Sequence, residues 1–191
     1  MNRREALNQV ALLLGGTIVG GSFFLEGCKT ADKKMAVGLP LTKEQIAFLD
    51  EIAETIIPAT DTPGAKDAKV GEFMQVMVTD CYEEKDQKIF LEGLNKINEA
   101  SDKKYQKDFM TISPEQRKEL LTGIDKEAKD YVAAKKKEDP NHYFSLMKQL
   151  TLLGFFSSEV GATKALRYVA IPGKYEGCIP YKKGDKAWAT S

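Results

Sequence analysis

Asp61, Asp67, Glu72 and Asp80 place four carboxylates in and just after a proline-rich stretch, and oxygen ligands at that density are what a hard cation such as calcium requires. The stretch lacks the regular alternation of an EF-hand loop, so these acids read as solvated turn residues. His142 is the only histidine. Standing just after Pro140, it reads as a helix cap or surface residue rather than a general base or a ligand. No His/Cys cluster has zinc spacing, and no glycine-rich strand-to-helix turn suggests a nucleotide site; Gly15-Gly16 and Gly20-Gly21 lie in an apolar leader. No catalytic, cofactor-binding or metal-binding residue is assigned from the sequence.

Cysteine is more informative. Residues 1–28 run MNRREALNQVALLLGGTIVGGSFFLEGC, a basic start, an apolar run and a closing cysteine, which is the layout of a bacterial export signal. Arg3 and Arg4 ahead of a mild, glycine-rich apolar run resemble the twin-arginine signal that carries folded proteins across a membrane. The run is shorter than the ~20 residues of a spanning helix and is loosened by its glycines. Leu25-Glu26-Gly27-Cys28 resembles a lipobox, in which Cys28 becomes the lipidated first residue; the alternative is an ordinary cleavable signal with an incidental cysteine. Residues 29–40 then read as a polar tether, and the expected location is the periplasm, on a membrane through a lipid at Cys28. In that oxidising compartment Cys81 and Cys178 have three readings: a disulfide to each other, buried free thiols, or one thiol exposed toward a partner subunit.

These residues need a scaffold, and composition bounds it. Of 191 residues, 42% are hydrophobic and 29% charged, ordinary for a globular chain. Lysine plus arginine equals aspartate plus glutamate at 28 each, so no positive field for nucleic acid exists in bulk. Residues 41–191 read as one all-α domain, a small bundle of about five helices with an irregular, aromatic-rich C-terminal tail. Thr42 and Gln45 form a capping box ahead of Ile46, Leu49, Ile52, Ala53, Ile56 and Ile57. Pro58 ends that helix, and two prolines and Gly64 shape the loop to Ala65, the glycine by its freedom of backbone conformation. A second helix runs from about Val70 to Cys81, and a third carries Ile89, Phe90, Leu94 and Ile97. Ser113-Pro114-Glu115-Gln116 starts a fourth, with Leu120, Leu121, Ile124 and Ala128 on its apolar face. The stretch from Tyr143 to Phe156 is apolar on more than one face, so it belongs at the centre.

Two segments carry a family likeness. Glu54-Thr55-Ile56-Ile57-Pro58-Ala59-Thr60-Asp61-Thr62-Pro63-Gly64-Ala65, and Gly154-Phe155-Phe156-Ser157-Ser158-Glu159-Val160-Gly161 continuing to Pro172-Gly173-Lys174-Tyr175-Glu176-Gly177-Cys178, together resemble the gluconate 2-dehydrogenase subunit 3 family. The resemblance implies a non-catalytic small subunit that binds no cofactor itself. It further implies a large FAD-dependent partner of the glucose-methanol-choline type, oxidising a sugar or sugar acid and often passing electrons to a c-type cytochrome. In that family the large subunit is exported folded with the small one, which would make Arg3 and Arg4 serve two proteins.

The tail then acquires a purpose. Tyr168, Ile171, Tyr175, Ile179, Tyr181 and Trp188 offer large contact area at small entropic cost. The expected partner surface is therefore the loop, with Pro58, Thr60, Asp61 and Pro63, together with the tail, with Tyr175, Cys178 and Trp188. The competing reading is that both segments pack on their own bundle, the aromatics closing its open end. A free-standing lipoprotein that binds a small sugar or another protein is the alternative function.

Overall fold

Thr42 Oγ1 accepts from Gln45 N at 3.3 Å while Gln45 Oε1 accepts from Thr42 N at 2.9 Å, the reciprocal box expected at the start of the first helix. The computed structural model describes residues 38–171, 173–174 and 177–189, all within one compact unit, Met35–Ser191. Arg3, Arg4, Cys28 and Tyr175 lie outside the described residues.

Helix α1 (Lys43–Ile56) buries Phe48, Leu49, Ile52 and Ala53 along one stripe. Helix α2 (Val70–Cys81) follows the loop, and α3 (Glu84–Tyr105) ends on Gln106, whose φ of 54° stops the helix in the left-handed region. A 3-10 turn, Phe109–Thr111, precedes α4 (Pro114–Ala134), which opens with a second capping box between Ser113 and Gln116 and with Pro114 in its first turn. Helix α5 (Tyr143–Ser157) is capped by His142 and leads through Ser158 to a π turn, Gly161–Ala165. Among the described residues there are five α-helices and no strand, so the fold is a small all-helical bundle.

Helix α5 touches each of α1 to α4, the central place its sequence called for. Phe144, Met147, Leu150 and Phe155 fill the middle of the core with Ile52, Met74, Phe90 and Ile97. Its last turns depart from the expectation, since Leu152, Leu153 and Phe156 are exposed. The reason is the contact with α2: Gly154 faces Phe73 so closely that a Cβ there would stand 2.6 Å from Phe73 Cδ1, which turns the opposite side of α5 outward.

Phe109, absent from the sequence-derived core, is fully buried with its ring 5.0 Å from that of Phe48. Its backbone N–H donates to Asn98 Oδ1 at 2.9 Å, so a polar side chain on α3 draws the 3-10 turn inward. Arg117 of α4 ties the same region together. It donates to the carbonyls of Phe109 (3.0 Å) and Met110 (2.7 Å) and pairs with Glu51 of α1, which also receives Lys66.

Candidate functional site

A carboxylate in the last turn of a helix sits against the negative end of the macrodipole, and α1 has no basic residue there to offset Glu54. The structure gives Glu54 another task. Its Oε1 accepts from Ala59 N at 2.8 Å and its Oε2 from Lys66 N at 2.9 Å, so the chain turns around this one side chain. Ala65 N donates back to Ile57 O at 3.0 Å and Thr60 N to Thr62 O at 2.9 Å, closing the turn.

Gly64 is buried against the same carboxylate. A Cβ would press on both Glu54 oxygens and stand 2.6 Å from Ala59 N, while its φ lies in the ordinary range. Glycine is thus required for space and not for the backbone freedom expected from the sequence. Asp67 Oδ2 accepts from Gly64 N at 3.3 Å and Asp61 Oδ1 from the Thr60 hydroxyl at 3.0 Å, so two of the acids considered for a cation instead make turn bonds. One helical turn before Glu54, Asp50 accepts from Gly71 N at 2.8 Å at the start of α2. Burial pushes its pKa up, opposed by that hydrogen bond. Among the described residues no group of His, Cys, Asp or Glu could hold a metal ion.

What remains outside is small. Pro58, Ala59, Thr60 and Asp61 are exposed, Pro63 is half-buried, and Ala65 is sealed in the core. The inner half of the loop therefore packs on its own bundle, and the outer half presents a rigid knob to solvent.

The tail is built differently. Ser158 Oγ accepts from Gly161 N at 2.9 Å and donates to Phe155 O at 2.7 Å, turning the chain out of α5. Farther on, Arg167 N donates to Ala187 O at 2.8 Å and Ala189 N to Arg167 O at 3.0 Å, an isolated parallel bridge between Arg167 and Trp188. The Arg167 guanidinium lies 3.9 Å from the centroid of the Trp188 ring, and Lys186 Nζ donates to Lys164 O. Near the far end, Lys182 N donates to Asp185 Oδ2 at 2.9 Å and Asp185 N to Lys182 O at 3.0 Å around Gly184, whose φ is 97°.

Ile171 and Tyr181 are 85% and 76% exposed, and Tyr168, Ile179 and Trp188 also face solvent. The reading in which these side chains close the end of the bundle does not hold for them. Cys81, at the end of α2, and Cys178 in the tail are free, exposed thiols. Both thiols being free and exposed, the structure holds neither the buried thiols nor the disulfide weighed from the sequence.

His142 caps α5, its Nδ1 accepting from Phe144 N at 3.2 Å. Burial lowers its pKa, with Lys96 acting the same way and Glu127 opposing. It borders an open cleft of about 550 Å³ whose lining includes Lys96, Glu127, Tyr131 and Tyr143. Burial pushes the Tyr143 phenol up to about 12, so it stays protonated at neutral pH. With Nδ1 committed to the cap and the neutral imidazole favoured, this residue serves the helix.

Glu54, Arg117 and Arg167 escaped the sequence reading. For Glu54 a signal existed, an acid at the wrong end of a helix directly before a proline loop. For the two arginines none did, since Arg117 joins a turn just before its helix to Glu51 on another helix, and Arg167 meets Trp188 from the far end of the tail.

Neither a curated protein nor a solved structure matches the chain. The family model for gluconate 2-dehydrogenase subunit 3 matches residues 43–173, from the first turn of α1 to the glycine after Pro172 and including both quoted segments up to that glycine. The chain belongs to the gluconate 2-dehydrogenase subunit 3 family.

Proposed function

We propose that this protein is the accessory subunit that binds, stabilises and co-exports a flavin-dependent sugar or sugar-acid dehydrogenase of the glucose-methanol-choline type. Family membership makes it a subunit of a dehydrogenase complex. The observation that carries the finer reading is the exposure of Ile171, Ile179, Tyr181 and Trp188 on a tail outside the bundle. Several large apolar side chains left in water on one segment are what a surface covered by another protein offers. The knob from Pro58 to Asp61 supplies a second, rigid contact.

In this reading the chain itself holds no cofactor. FAD sits in the large partner, and a c-type cytochrome receives the electrons. Arg3 and Arg4 direct the folded pair through a twin-arginine route, and Cys28 carries the lipid that keeps the complex on the periplasmic face of a membrane. No described helix is long and apolar enough to cross a membrane.

A pull-down from native membranes through a tag after Ser191, followed by an absorbance scan, tests the proposal. A yellow protein of large-subunit size is the expected companion. A single colourless band under gentle extraction would sink the accessory role and favour the small-ligand module, for which the cleft beside His142 would be the place to look.

A further inference from the structure

We infer that the Arg167–Trp188 clasp closes the tail into a basic docking loop whose described side chains, Ile179, Tyr181, Lys182 and Lys183 among them, seat on an acidic patch with an apolar centre on the dehydrogenase partner; this rests on the accessory reading above. Three observations lead there. First, the ends of the loop are tied by two backbone hydrogen bonds, by the guanidinium on the indole and by Lys186 on Lys164 O. A loop closed beforehand loses less entropy when it docks.

Second, the charge is uneven. From Lys164 to Ser191 there are six cations, Lys164, Arg167, Lys174, Lys182, Lys183 and Lys186, against Glu176 and Asp185, a net charge of +4 in a chain whose total is zero. The rest of the chain therefore carries the opposite excess. Lys182 and Lys183 follow the exposed Ile179 and Tyr181 directly in the chain, a pairing of cations with apolar side chains that calls for acidic groups beside an apolar centre.

Third, Arg167 Nε is buried without a hydrogen-bond partner. A buried N–H without an acceptor is costly, and the aromatic face of Trp188 against the guanidinium offsets part of that cost. Arg167 is thus a positioning residue, and Trp188 acts on the complex by holding the shape of the loop. An anionic lipid surface shares the same basic and aromatic chemistry. A protein is favoured because the indole is held beneath the guanidinium and because a fixed loop shape has value only against a rigid complement.

The test uses the full chain, tagged after Ser191, as wild type, Arg167→Ala and the double variant Lys182→Glu/Lys183→Glu. Trp188 is the only tryptophan, so its fluorescence reads the clasp directly. Arg167→Ala should shift its emission to longer wavelength, raise acrylamide quenching about twofold, leave helicity unchanged and lower the flavoprotein retained by about tenfold. The double variant should leave the fluorescence alone, lower retention by about tenfold and weaken its dependence on salt between about 50 and about 500 mM. Unchanged fluorescence in Arg167→Ala overturns the clasp. Wild-type retention in both variants overturns the docking while leaving the accessory reading in place; no flavoprotein with the wild type removes both. Sedimentation with vesicles of about one-third anionic lipid that is lost in the double variant, with flavoprotein retention intact, would reassign the loop to a membrane and overturn the proposal.

Discussion

The loop between α1 and α2 and the C-terminal segment both bend the chain back on itself, but they are held by different means. The loop turns around the Glu54 carboxylate and is sealed at Gly64 and Ala65, so its geometry is part of the packed bundle. The tail is held by a bridge and a ring contact between its own residues, with most of its apolar side chains in water. A break in the loop should therefore be felt as lost stability, and a break in the tail as a lost complex. Both segments bear the family likeness, and the second begins in the core at Gly154 and Phe155 before it leaves the bundle.

The largest effect is expected at Gly64→Ala. The added methyl meets Glu54 and the backbone of Ala59, and neither can move without opening the loop, so urea denaturation should show a loss of about 2–3 kcal/mol. A wild-type midpoint would mean that the loop is not packed as described, and the contrast with the tail would collapse. Next comes Glu54→Gln, which keeps an acceptor for one N–H and turns a donor on the other. It should cost about 1–2 kcal/mol, with no change in the slope of the denaturation curve.

Trp188→Ala belongs to the other side of the comparison. Helicity and thermal midpoint should stay close to wild type, within about 0.5 kcal/mol, while the partner is lost from pull-downs. A variant that unfolds instead would show the tail to be as structural as the loop.

The smallest effect is a pH dependence that belongs to the bundle alone. His142 has its pKa depressed below the ordinary value of 6.5, so the fold favours the neutral form. That contribution is present above the ordinary value and fades as pH falls through the depressed one. Protonation also removes the acceptor for Phe144 N. A thermal midpoint that drops modestly between about pH 7 and pH 5, and drops less in His142→Asn, is the expected result. Trp188 fluorescence should not follow that titration.

Much of the bundle was legible in the residues because its signals are local. Capping boxes act over three residues, and the apolar stripes of α1, α3 and α4 repeat at helical spacing, so Thr42, Ser113 and the buried leucines could be read directly. Phe109 was missed because a 3-10 turn has no periodicity of its own, and its burial is decided by Asn98 on another element. Of the candidate surface, the sequence identified the segments but not the roles within them. Pro58, Thr60 and Asp61 are legible as a loop, whereas Glu54, the carboxylate that builds it, reads only as an acid in the last turn of the preceding helix. Trp188 was found as an aromatic, without the arginine that holds it.

The sequence by itself determined the helical class, the starts of the helices, the family and the concentration of cations in the tail, since each depends on residue type and short spacing. Only the tertiary structure decided which apolar residues stay in water, why residue 64 must be glycine and that Arg167 meets Trp188. Those are consequences of groups brought together from distant parts of the chain, where burial and contact are set by packing and not by the order of residues.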